Sequence, residues 1–148
     1  MKMFKYFIIL STILFAQNKE ILFIKKMPTR GKAPVYELSI YNDSTAILKG
    51  IANLQYIGLY KANIQKNYYK IKNLIDSIQL DTLQEKYNYL LLDYPVTIMK
   101  ITKNNIEKTV KFKRDAPNNL KNISKIANNM IKNEKWIKIE EGENKWKT

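Results

Sequence analysis

The stretch VYELSIYNDSTAIL, Val35 to Leu48, decides the fold. Tyr36, Leu38 and Ile40 alternate with Glu37 and Ser39, which is the period-two pattern of a strand buried on one side only. Asn42, Asp43 and Ser44 then supply side chains that fold back on their own backbone in turns. Thr45 to Leu48 are therefore expected to return as a hairpin partner, with Gly50 ending it. A half-buried hairpin of this kind belongs to an antiparallel sheet, because parallel strands covered on both faces read as continuous apolar runs.

Upstream, ILFIKKM (Ile21–Met27) reads as a first strand, joined to the hairpin through the turn-rich PTRGKAP (Pro28–Pro34). A short crossing between two strands suggests a positive φ at Gly31, where Gly31→Val would then cost about 1 to 3 kcal/mol. Downstream, Tyr56, Gly58, Tyr60, Ala62 and Ile64 share one side of a fourth strand, and Gly58 marks a place where another side chain can approach the sheet. The period then changes to helical: Ile71, Leu74, Ile75 and Ile78 form the apolar stripe of a first helix. VTIMKIT (Val96–Thr102) and IEKTVKF (Ile106–Phe112) form a second antiparallel pair joined by Lys103, Asn104 and Asn105. In the latter strand Ile106, Val110 and Phe112 point inward with Lys108 as the exception. Pro117 suits the first turn of a second helix striped by Leu120, Ile123, Ala127 and Met130, after which Trp136, Ile137 and Ile139 dock as a short segment. The order ββββαββα is not the alternation of a parallel α/β sheet. It implies an α+β fold, an antiparallel sheet with both helices packed on one face.

Length and composition fit one globular domain: 148 residues, 45% hydrophobic and 26% charged. Residues 1–16 read as a secretory signal peptide, with Lys2 and Lys5 before the apolar run Phe7–Ala16 and a small residue, Ala16, at the cut. The run is too short to span a bilayer, so cleavage, a periplasmic or secreted location and a protein that does not span the membrane after processing are expected. The domain would then occupy 17–139, followed by a polar tail, 140–148. With no cysteine, neither a lipid anchor nor a disulfide is available.

The net charge of +13 falls to +11 on loss of Lys2 and Lys5. Such a surplus suits an anionic partner, either an envelope component or an acidic protein. Lys, Asn and Ile are abundant while Gly, Pro and Arg are scarce, however, and an AT-rich coding bias accounts for that more simply. Arginine, the preferred group for bidentate phosphate and base contacts, occurs only as Arg30 and Arg114, which argues against nucleic acid. The interleaved Lys66, Tyr68, Tyr69 and Lys70, together with Asp93, Tyr94 and Arg114, are the candidate interaction surface.

The absence of histidine and cysteine excludes a Ser-His-Asp triad, a Cys-His pair and the common zinc sites, and no cofactor, metal or catalytic site is expected. Carboxylate or lysine chemistry remains. Asp81 and Glu85, four apart, could share a helical side, yet such a pair more often serves as a cap and a surface charge. From Asp81 to Pro95 a long connection ends in NYLLLDYP. The preferred reading has Leu90 to Leu92 plugging the sheet edge and Asp93 capping a turn. The alternative brings Asp93, Tyr94 and Pro95 beside Arg114 and Asp115 as a polar cluster.

Gly31, Pro34 and Tyr36 in a G-x-x-P-x-Y core, the turn ending in Asn42 and Asp43, the step Asp93-Tyr94-Pro95, and Ala116-Pro117 before a helix recur in this order. In them the chain resembles, from about Ile21 to Trp136, a bacterial domain family of unknown function found in small exported proteins and lipoproteins, chiefly of Bacteroidetes. Many relatives place two cysteines around the glycine where Thr29 and Ala33 stand here, and an Asp-Gly hairpin where Asp43-Ser44 stands. The resemblance implies an α+β domain in an exported protein, and no activity. Two classes of function follow: a non-enzymatic binding or structural module of the cell envelope, or an enzyme that uses only carboxylates and lysines.

Overall fold

The computed structural model describes residues 18–87 and 93–139, so the expected leader, the Leu90–Leu92 plug and the polar tail lie outside the described residues. Four strands, β1 (Glu20–Lys26), β2 (Val35–Tyr41), β3 (Thr45–Ala52) and β4 (Gly58–Asn63), precede helix α1 (Gln65–Asp76). A single 3-10 turn (Leu80–Thr82) and a two-residue strand β5 (Lys86–Tyr87) lead to β6 (Thr97–Lys103), β7 (Ile106–Phe112), helix α2 (Asn118–Asn133) and a two-residue strand β8 (Ile137–Lys138). The eight strands form one sheet in the order β5-β7-β6-β1-β2-β3-β4-β8.

The α+β class therefore stands, while the expected order ββββαββα lacks β5 and β8. The sheet is mixed because β5 runs parallel to β7 at Lys86↔Lys111 and Tyr87↔Phe112. Both missed strands are only two residues long, too short for any alternation to register. β8 pairs with Tyr60 and Lys61 of β4, leaving Trp136 buried and Ile137 55% exposed, so only part of the last segment docks as expected.

Alternation does most of the building. Leu22 and Ile24 of β1, Tyr36, Leu38 and Ile40 of β2, Ala46 and Leu48 of β3, and Met99 and Ile101 of β6 all enter one buried cluster. Ile71 and Ile75 of α1 and Leu120, Ile123, Ala127 and Met130 of α2 join the same cluster. The two helices run antiparallel: Asn67 near the start of α1 donates to Glu134 just past α2, while Asn119 at the start of α2 donates to Ser77 just past α1. Ile106 departs from its expected inward role and is 62% exposed, since it lies at the sheet corner beyond the buried cluster.

Local backbone chemistry explains the turns. Asn104 and Asn105 take φ values of 53 and 61 between Lys103 and Ile106, a two-residue loop of left-handed residues whose twist matches the right-handed twist of the flanking strands, so Lys103 belongs to β6 and not to the turn. The β2–β3 turn puts Ser44 at φ 64, the left-handed region that disfavours side chains. We expect Ser44→Gly to raise stability by about 0.5 kcal/mol, the strain relieved outweighing the added freedom of the unfolded chain. A shift in urea midpoint at unchanged slope is the check; a midpoint at or below the parent's would show that Ser44 is not strained.

Glycine roles differ from expectation. Gly31 has no positive φ, is exposed, and a Cβ there would meet only Thr29 Oγ1 at 3.8 Å, so the strain expected of Gly31→Val has no basis. Gly50 does not end β3 but lies inside it, buried, because Asn53 at φ 59 turns the chain back so that the Tyr56 carbonyl passes directly over Gly50. The close approach assigned to Gly58 thus occurs at its register partner Gly50, and Gly58 instead takes φ +110. Asp81 and Glu85 share no helical side: the 3-10 turn ends at Thr82 and Leu83 is already extended.

Candidate functional site

Three segments meet at one end of the sheet. The β1–β2 loop is tied there by the Met27 N–H, which donates to the Val96 carbonyl (2.9 Å), and β6 begins where β7 ends, at Thr97↔Phe112. The result is an open cleft of about 570 Å³ lined by Pro28, Thr29, Arg30, Asp93, Tyr94, Val96 and Lys113. Next to Lys113, the Arg114 guanidinium lies 5.7 Å from the Tyr94 ring centroid and 3.5 Å from its hydroxyl. Arginine over an aromatic face is held in place while staying exposed and fully charged. Arg114 thus meets Tyr94, Asp93 lines the same cleft as Tyr94, and both arginines of the chain come to this end.

Of the motif residues, Gly31 and Pro34 lie in the β1–β2 loop beside the cleft, Asp93 and Pro95 lead into β6, and Pro117 precedes α2, where its carbonyl accepts from the N–H groups of Leu120 and Lys121. Asp43 sits at the opposite end, where its carboxylate accepts from the Thr45 N–H (3.0 Å) and Asn18 (2.8 Å), a turn role. Lys66, Tyr68, Tyr69 and Lys70 are also remote from the cleft. The Tyr68 hydroxyl donates to the Asn42 carbonyl in the β2–β3 turn (3.2 Å) and its ring packs on the core, whereas Lys66, Tyr69 and Lys70 are exposed. The interaction residues chosen from sequence therefore form two surfaces at opposite ends of the sheet.

A buried polar group was not foreseen. Lys26 points into the protein from the end of β1, its ammonium donating to Thr97 Oγ1 (2.7 Å) and Ser124 Oγ (2.9 Å). Burial lowers its pKa to about 8, and no carboxylate pairs with it among the described residues. Beside it in register, Tyr36 donates to Asn128 Oδ1 (2.7 Å), and burial raises the Tyr36 hydroxyl above its usual range. The only available sign was Lys26 itself, falling in phase with Leu22 and Ile24 on the inward side of β1. A lysine beside a serine is base chemistry in principle. Here Ser124 is 7% exposed and stands mid-helix in α2, where neighbouring N–H groups are spent on the helix and none is left to hold an oxyanion.

The side chains alternating with the core carry a charge ladder. Glu37 accepts from Lys25 (3.0 Å) and lies 3.9 Å from Lys49, and Lys100 pairs with Glu20 (3.0 Å) while passing over the Phe23 ring. Several lysines of the basic surface are thus partnered locally. Among the described residues there is no cluster of three or more acidic side chains able to hold a metal ion, and no helix long and apolar enough to cross a membrane.

An eight-stranded α+β domain with an arginine-bearing cleft at one sheet end is the class that this geometry defines. The chain belongs to the family described as domain of unknown function (DUF6438), whose model matches residues 20–131. Neither a curated protein nor a solved structure matches it.

Proposed function

We propose that this is a non-enzymatic binding module of the bacterial envelope, exported by cleavage after Ala16, whose 17–139 domain takes an anionic group in the Arg30–Tyr94–Arg114 cleft. One observation carries the reading: of the two arginines in the sequence, Arg30 lines the open cleft together with Lys113, and Arg114 sits against Tyr94, which lines it too. A planar, always-charged fork stacked on an aromatic ring suits a carboxylate or phosphate better than a scattered lysine does. The remaining lysine surplus we read as composition, since Lys25, Lys49 and Lys100 are answered by Glu37 and Glu20. In the same reading both helices cover one face of the sheet, supported by their shared cluster with the inward strand residues. The G-x-x-P-x-Y segment, which resembles that of exported Bacteroidetes proteins, follows directly on Arg30 in the loop beside the cleft.

Binding to vesicles containing anionic lipid, to an anionic glycan and to an acidic peptide, each at two salt concentrations, tests this. We expect one of the three to bind, to weaken steeply with salt through counterion release, and to lose about tenfold or more when Arg30→Ala and Arg114→Ala are combined. Lys66→Glu with Lys70→Glu should leave that binding within about twofold, as expected for exposed charges at the other end of the sheet. Equal losses in both double variants would replace the cleft by diffuse charge as the explanation.

A further inference from the structure

At the opposite end of the sheet from the cleft, β7 presents an edge that no strand among the described residues occupies. β5 pairs with it only at Lys111 and Phe112, where the Lys111 N–H donates to the Glu85 carbonyl (2.8 Å). Strand alternation gives Glu107 and Thr109 the same outward-facing backbone groups as Lys111, and no strand among the described residues covers them. Alongside runs a groove of about 360 Å³ whose lining includes Ile78, Leu80 and Asp81 from one segment and Ile106, Glu107 and Lys108 from β7. Ile106, 62% exposed, is the most exposed large apolar side chain among the described residues and stands at the groove's lip. A sheet edge with an adjoining apolar groove is what strand addition requires: the backbone supplies hydrogen bonds and the groove accepts alternate side chains.

We propose that this edge takes an extended segment of another protein as an added antiparallel strand, with an aliphatic side chain opposite Ile106 and an acidic one opposite Lys108. A second copy of the chain fits poorly. Pairing Glu107 with Thr109 of a copy would set Lys108 against Lys108, and pairing Glu107 with Glu107 would oppose two carboxylates; like charges directly across a ladder are destabilising. Centring the pair on Thr109 would drive the copy into β5, which already holds Lys111. The net charge of +13 further disfavours self-association and favours an acidic segment.

The test is amide NMR on the full-length chain, titrated with a capped peptide whose central run is threonine, glutamate, lysine, isoleucine, which sets glutamate opposite Lys108 and isoleucine opposite Ile106. We expect the Glu107 and Thr109 amides to shift and to gain protection from hydrogen exchange. Ile106→Glu, at a site too exposed to threaten folding, should weaken binding about tenfold or more. Lys108→Glu should reject this peptide and accept one carrying lysine in place of the glutamate, a charge exchange that mere loss of stability cannot produce. The proposal fails if shifts gather at Arg30 and Arg114 instead, if no amide of β7 responds at millimolar peptide, if the charge exchange does not occur, or if the edge amides shift with protein concentration alone.

Discussion

Gly50→Ala is expected to lower stability by about 3 kcal/mol or more, a large fraction of the total stability of a typical domain. An added Cβ would sit 1.6 Å from the Tyr56 carbonyl oxygen and 2.8 Å from its carbon, with Leu54 Cδ1 at 3.2 Å. The obstacle is backbone, so no rotamer change relieves it; the whole turn from Asn53 to Ile57 would have to lift away. That turn also seats Leu54 and Tyr56 against the core, and Gly50 faces Tyr36 across the ladder. Overpacking at a site that cannot yield lies at the upper end of the usual range. Gly31→Val is the matched control, since an added Cβ there makes only an ordinary contact with Thr29 Oγ1 at 3.8 Å. Denaturant midpoints decide the matter: similar losses at both positions would mean that the turn is far more compliant than its packing suggests.

Lys26 governs the second large effect, on pH dependence. Its folded pKa is about 8 against an ordinary 10.5, so between these values the unfolded chain binds more protons than the folded one. Stability must then rise as pH climbs from about 8 toward 10.5, by up to about 3 kcal/mol for a shift of this size. Tyr36 acts in the opposite sense. Its hydroxyl is raised by burial, so the folded state holds a proton that the unfolded chain releases above pH 10, and stability falls beyond that point. The sum is a maximum on the alkaline side, near pH 10. Lys26→Met should erase the rising limb and, at pH 7, add about 1 to 2 kcal/mol by replacing, with a side chain of similar length, a part-buried charge that no carboxylate among the described residues neutralises. The hydroxyls of Thr97 and Ser124 lose a donor in exchange, which keeps the gain below the full linkage value. Urea unfolding at pH 7, 8.5 and 10 for both proteins is the measurement; a flat profile in the parent would show that Lys26 is solvated.

Much of this architecture was legible because strands buried on one side only must alternate. Val35–Tyr41 and Ile106–Phe112 fall on the residues that their patterns indicate, and the stripe from Leu120 to Met130 lies on α2. What escaped has a physical cause in each case. β5 and β8 borrow their order from β7 and β4 and hold no periodic signal of their own. Gly50 reads as a terminator until the Asn53 turn brings Tyr56 over it, a contact set by one left-handed residue three positions on. The cleft was half legible: Asp93, Tyr94 and Arg114 could be grouped as ends of neighbouring strands, but the approach of Arg30 depends on β1 lying between β2 and β6, which no local pattern encodes. Lys26 was hidden for a related reason, since its partners Thr97 and Ser124 are 71 and 98 residues away.

That central place of β1 bears on how the chain assembles when it emerges N-terminus first. β2 can zip onto β1, β3 onto β2 and β4 onto β3, each closing a short loop, yet the other side of β1 stays open until β6 arrives, across the 71-residue span from Lys26 to Thr97. Until then Leu22 and Ile24, fully covered in the finished fold, flank a bare strand edge in a nascent four-stranded intermediate. Such an intermediate is sticky, and closing a distant pairing is slow, so the interval before Thr97 reaches its partner is when this protein is most exposed to aggregation and has most use for a chaperone.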